Sequence, residues 1–202
     1  IIPISRWGTP HKGVRPQDFG PGALPSVPLF FLLTLNKTPL AKAIWVGLSD
    51  NMDKPLCVAF DCDGVLADSI SSWRTIHNHF GTDSKDLLQR FMQGELTDSE
   101  FMAADIALWK EVSPKIHRDD LFRAYSGCKL MKGAKEVVRD LKEAGVHVAI
   151  VSAGVDLYVQ SIAAMVKADD WIANGFNFDE EGWLMDEGVV RVPSMEKYTS
   201  IN

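Results

Sequence analysis

The chain has 202 residues, with 21 Lys and Arg against 27 Asp and Glu, a formal net charge of −6, and 46% hydrophobic content. That length suits one medium domain, or a domain with an insert. The acidic balance argues against nucleic acid as the main partner, because a phosphate backbone recruits a basic face, whereas a small phosphorylated ligand needs only a local cation and backbone N–H donors.

Residues 1–51 differ in kind from the rest. They hold 7 of the 10 prolines, no glutamate, and a net charge of +3, which leaves −9 on residues 52–202. Met52 is the first methionine, and "MDKPLCVAFD" reads as a natural start running into a strand. Residues 1–51 are accordingly read as a non-native or disordered extension, with a targeting or linker segment as the alternative. The apolar run "VPLFFLLTL" at 27–35 is too short to span a bilayer and contains Pro28, so no membrane is implied. "NKT" at Asn36 matches a glycosylation sequon, but nothing else points to secretion. Cys57, Cys62 and Cys128 form an odd, sparse set without CxxC spacing, which reads as reduced thiols and a cytoplasmic protein.

From residue 55 the elements follow in order. "PLCVAF" is a short apolar run of strand type. A helix is expected from near Asp68 to Gly81, a second over "DSKDLLQRFMQG", and a third after Thr97, where Thr97 and Glu100 make a capping box. "HRDDLFRAY" is a fourth. Residues 68–126 are therefore read as an all-helical insert, a cap, within a core of residues 52–67 and 127–202. The pattern then alternates: the amphipathic helix "GAKEVVRDLKEAG", the strand "HVAIV", the turn "SAG", the helix "VDLYVQSIAAMVKA", and short strands around the turn "EEG". Alternation of this kind gives an α/β, Rossmann-like core with a mostly parallel sheet. Ligands in such sheets bind at the carboxyl ends of strands, which makes "FDCDG" and "VSAG" candidates for one site.

Asp61 and Asp63 stand two apart after the first of these strands, so in extended backbone their side chains share a side. Two carboxylates in one pocket raise each other's proton affinity unless a cation intervenes, and Mg²⁺ suits such oxygen ligands. One carboxylate can attack phosphorus, while the other gives and takes protons. A calcium loop fails on spacing, because Val65 and Leu66 stand where a ligand and a glycine are required. A solvated turn remains the plain alternative for D-x-D-G alone. Cys62 is a bystander between the two acids.

The stretch "VAFDCDGVLAD" resembles the first motif of the haloacid dehalogenase superfamily, and "AIVSAG" resembles its second. "VSAGVDLYVQSIA…IANGFNFDEEGWL" is similar to the phosphoserine-phosphatase-like branch. The resemblance implies a Mg²⁺-dependent phosphomonoester hydrolase acting on a small phosphorylated metabolite through an aspartyl-phosphate. It implies Asp61 as nucleophile and Asp63 as general acid/base, both of them metal ligands. It implies that Ser152 and the N–H groups of Ala153 and Gly154 bind the phosphoryl group, and that Lys197 neutralises it. A surface role for Lys197 is the alternative reading.

Two departures stand out. An acidic fourth motif is expected beyond Lys197, and the sequence ends at Asn202, so a C-terminally truncated, non-catalytic fragment or phosphate-binding relic is the competing reading. A receiver-type signalling domain is disfavoured by the helical insert and by an aspartate on the first strand. Ile70 and Asp105 occupy the positions where the branch carries an acid and an arginine for the amino-acid head group, and an Asp cannot clamp a carboxylate. Asp98, Glu100 and Asp105 read as a solvated helix face, with contact to a cationic head group as the alternative. His77 and His79 point to different faces of a helix and read as exposed or partly buried. Trp73 and Trp109 read as packing, with lining of the substrate pocket as the alternative.

Overall fold

The computed structural model describes residues 43–48 and 55–194. Five strands form one sheet in the order β1-β2-β3-β4-β5: Ala43–Leu48, Pro55–Phe60, His147–Val155, Asp170–Phe178 and Leu184–Val189. The central pairs β2–β3 and β3–β4 are parallel, and the edge pairs β1–β2 and β4–β5 are antiparallel. The α/β class expected from the sequence is what the structure shows. Its parallel centre reflects buried runs in β2 and β3: Val58, Ala59 and Phe60 are buried, as are Val148 to Ser152. β1 falls within the stretch where the sequence shows no strand period, and it pairs with β2 from Ala43↔Phe60 to Leu48↔Pro55.

Four helices lie between β2 and the next core helix: α1 (Ser72–Phe80), α2 (Lys85–Met92), α3 (Asp98–Val112) and α4 (Arg118–Ala124). The capping box at Thr97 and Glu100 forms as the sequence predicts, with Glu100 Oε2 accepting from Thr97 N at 2.8 Å. Helix α1 starts four residues later than the expected position near Asp68. Residues 63–68 are instead held in a tight loop, with the Cys62 carbonyl accepting from the N–H groups of Val65, Leu66 and Ala67. Gly64 supplies the positive φ of 69° that this loop requires. Helices α5 (Ala134–Glu143) and α6 (Asp156–Val166) connect and cover β3 and β4.

The main core gathers Phe60, Leu66, Ile76, Ile106, Trp109, Leu121, Ile150, Tyr158 and Ile162 from both the sheet and the inserted helices. Trp109 is fully buried, with Trp73 stacked 6.2 Å away and Phe176 edge-on at 5.7 Å. The insert and the sheet are thus welded by aromatic packing. Among the described residues, no helix is long and apolar enough to cross a membrane.

Candidate active site

Parallel pairing of β2 and β3 aligns Phe60 with Ile150, so the loops that carry Asp61 and Ser152 leave the sheet side by side. The "SAG" segment is a bulge in β3 and not a turn that ends it. Ser152 pairs with Ala173 and Val155 with Asn174, which pushes Ala153 and Gly154 out of the ladder. The displaced Ala153 carbonyl accepts from Trp73 Nε1 at 3.0 Å and from Asn174 Nδ2 at 3.3 Å. Gly154 N–H turns inward onto Ser152 Oγ at 3.0 Å.

Asp63 is anchored by a serine that sequence reading did not single out. Ser72, fully buried, donates its backbone N–H (2.9 Å) and its hydroxyl (2.8 Å) to Asp63 Oδ2. The same Oγ accepts from Val155 N at 3.0 Å, and Tyr125 OH donates to the Ser72 carbonyl at 3.2 Å. One hydroxyl therefore ties the acidic loop to the bulge of β3. Sequence alone offers three serines, Ser69, Ser71 and Ser72, before the first apolar turn, and Ser71 is the one that caps α1. Asp61 is half-buried, and its Oδ1 accepts from Cys62 N at 2.8 Å. The Cys62 side chain is buried in the core, in keeping with a bystander role.

Asp61, Asp63, Ser152, Ala153 and Gly154 line a single cavity of about 700 Å³. Gly154 shows how close the two motifs come. A Cβ there would lie 2.6 Å from Ser72 Oγ, 2.9 Å from Asp63 Oδ2 and 3.1 Å from Ser152 Oγ. The remaining wall comes from α1, α2 and α3, with Trp73, Phe91, Phe101 and Met102 as its apolar part. Lys197 lies outside the described residues. Ser194, three residues before it, lines the cavity and donates through N and Oγ to Asp98 Oδ1. Asn174 was also missed by sequence reading. Its Oδ1 accepts from Arg191 N and Val192 N, both at 2.8 Å, and its Nδ2 donates to the Val192 carbonyl, which fastens this segment beside the bulge.

Two expectations about the inserted helices are overturned. Asp105 is not on a solvated face: it is 1% exposed in the cavity wall, because α3 turns this side towards α1. Burial pushes its carboxyl up from the usual range, opposed by the neighbouring His77 imidazole and the Ser84 hydroxyl. His77 is likewise buried at 4% exposure, with Nε2 3.1 Å from Asp105 Oδ1. Glu100 does stay exposed, and Ile70 stands 82% exposed at the cavity mouth.

The donor set is suited to a hard cation. Two carboxylates on one cavity match an ion that keeps several waters and shares substrate phosphate oxygens. Among the described residues, no group of three or more His, Cys, Asp or Glu side chains is placed to hold a metal ion.

A parallel strand pair with an acidic loop after one strand and a serine bulge in the next, facing inserted helices, is the α/β arrangement expected of a haloacid dehalogenase-like protein. The family model for haloacid dehalogenase-like hydrolases matches residues 58–197, and the chain belongs to this family. A phosphoserine phosphatase of Archaeoglobus fulgidus is 35% identical over 120 residues, which cover 59% of this chain and 33% of that protein. The chain thus spans about a third of the length of the curated relative it matches. Two solved structures share the fold. One, a phospho-aspartyl intermediate analogue of phosphoserine phosphatase, aligns with a TM-score of 0.55 at 23% identity over 71% of this chain and 72% of that one. The other, a substrate-bound phosphoserine phosphatase complex, aligns with a TM-score of 0.56 at 22% identity over 71% of each chain. The family and branch resemblance read from the sequence is borne out.

Replacing Ser72 with Ala removes one of the two donors to Asp63 Oδ2 and strips Val155 N of its acceptor. Leaving a buried donor unsatisfied costs about 1–3 kcal/mol. We expect Ser72→Ala to lower unfolding free energy by about that amount in urea titrations and to reduce turnover. Unchanged stability would show that the bridge between acidic loop and bulge carries no weight.

Proposed function

We propose that the protein is a Mg²⁺-dependent phosphomonoesterase acting on a small phosphorylated metabolite through an aspartyl-phosphate. The observation that supports this best is the meeting of Asp61, Asp63 and the Ser152–Gly154 bulge on one cavity wall. Residues 68–126 act as a cap over the core that carries the sheet.

The Asp61 carboxylate attacks phosphorus in line with the ester oxygen. A bond forms between the Asp61 oxygen and phosphorus, the bond from phosphorus to the ester oxygen breaks, and Asp63 gives its proton to the departing alkoxide. Water then attacks the phosphorus of the acyl phosphate while Asp63 takes its proton, releasing inorganic phosphate and restoring Asp61. Asp63 can serve in both steps because Ser72 fixes its other end. The Ser152 hydroxyl and the Ala153 N–H hold phosphoryl oxygens, and Lys197 supplies a compensating positive charge. Asp61 and Asp63 would hold Mg²⁺, which would neutralise charge on the phosphoryl oxygens.

The full-length protein is expected to release phosphate from para-nitrophenyl phosphate in Mg²⁺ and to lose that activity in EDTA, with recovery when Mg²⁺ is returned. Equal rates in both conditions would remove the metal from the reaction.

A further inference from the structure

The cap-side wall of the cavity carries net negative charge set among aromatic rings. Trp109 Nε1, which can only donate, bonds His77 Nδ1 at 3.1 Å. His77 Nδ1 is therefore an acceptor, with Thr82 Oγ1 also 2.7 Å away, and the other ring nitrogen, Nε2, is left to face Asp105. His77 Nε2 and Asp105 Oδ1 approach to 3.1 Å, and neither buried atom makes an aligned hydrogen bond. Asp98 adds a second, half-buried carboxylate to the same lining. Cations are poorly placed to offset them. Among the described lining residues these are Arg74 and Lys85, both solvent-exposed, and Lys85 Nζ lies 2.6 Å from Asp83.

We infer that the leaving group is a cationic amino alcohol: the substrate is the phosphomonoester of an alcohol that bears an ammonium group and no carboxylate. This rests on the phosphomonoesterase reading above. A buried negative charge behind a low-dielectric wall attracts an ammonium and repels a carboxylate. The aromatic side chains of Trp73, Phe91 and Phe101 belong to the same wall, and such rings are compatible with a cation. A zwitterionic amino-acid phosphate would bring its carboxylate into the cavity that Asp105 and Asp98 line, with no buried cation among the described lining residues to receive it.

Phosphoethanolamine and O-phosphoserine differ by that one carboxylate, so the pair isolates the effect. We expect kcat/KM for phosphoethanolamine to exceed that for O-phosphoserine by about tenfold or more, since like-charge juxtaposition is costly. A ratio of one or below overturns the inference. Asp105→Asn, checked for folding by circular dichroism, should shrink the ratio several-fold. Asp98→Asn should shrink it less, and serves where the first variant does not fold. A ratio unmoved in both overturns the electrostatic origin. If neither compound, nor para-nitrophenyl phosphate, is hydrolysed, the phosphatase reading fails. Calorimetric binding of the two phosphoesters to the full-length protein then decides the inference alone: tighter binding of phosphoethanolamine upholds it, and equal or reversed affinity ends it.

Discussion

Asp61→Asn is expected to abolish phosphate release, with turnover lower by about 10⁴-fold or more, because the amide that replaces the carboxylate is no nucleophile. The substitution is nearly isosteric. Cys62 N donates to Asp61 Oδ1 at 2.8 Å, and an asparagine side-chain oxygen accepts that bond equally well. The fold should therefore survive, and thermal unfolding should stay close to that of the parent. Rapid quenching of the parent with substrate should trap a phosphorylated protein that hydroxylamine cleaves, as expected of an acyl phosphate, and the variant should trap none. Substantial retained turnover would move the nucleophile elsewhere and dissolve the mechanism proposed for this cavity.

The two strand-end motifs were legible because their signals are local. An apolar run followed by D-x-D-G, and another followed by S-A-G, each specify a buried strand and the chemistry at its carboxyl end. Parallel pairing then brings them together, with Phe60 opposite Ile150. The capping box at Thr97 and Glu100 was legible for the same reason, since both partners lie within one turn. What escaped depends on distant partners. Ser72 matters because Asp63 and Val155 both reach it, and Val155 is 83 residues away. Asn174 matters because residues 191–192 fold back over it.

Asp105 and His77 show the same limit from the other side. Charged residues on a helix are normally solvated, and α3 gives no strong amphipathic pattern to say otherwise. Only the packing of α3 against α1, with Trp109 donating to His77, turns that face inward. A carboxylate buried in a cavity wall is the kind of local conflict between pattern and environment that is expected at functional or strained sites. The bulge in β3 was likewise invisible as such. "SAG" reads as a turn by composition, whereas the strand resumes at Val155 because Asn174 supplies the next partner.

Gly154→Ala is expected to damage turnover severely for a single-methyl change. The added carbon would stand 2.6 Å from Ser72 Oγ and 2.9 Å from Asp63 Oδ2, both closer than real contacts allow. Neither neighbour can yield freely. Ser72 Oγ also accepts from Val155 N at 3.0 Å, and Asp63 Oδ2 is held by both Ser72 donors. Relief requires Ser72 to rotate away, which strands a buried N–H at a cost of about 1–3 kcal/mol and releases the proton-transferring carboxylate. A misplacement of about 1 Å in such a group lowers turnover by about 10²-fold. We expect kcat to fall by that order while KM changes little, because the added methyl meets Asp63 and Ser72 rather than the aromatic cap-side wall. The urea midpoint should fall in step with the lost hydrogen bond. Parent-level kcat in Gly154→Ala would mean that Asp63, Ser72 and Ser152 do not converge on this glycine during turnover.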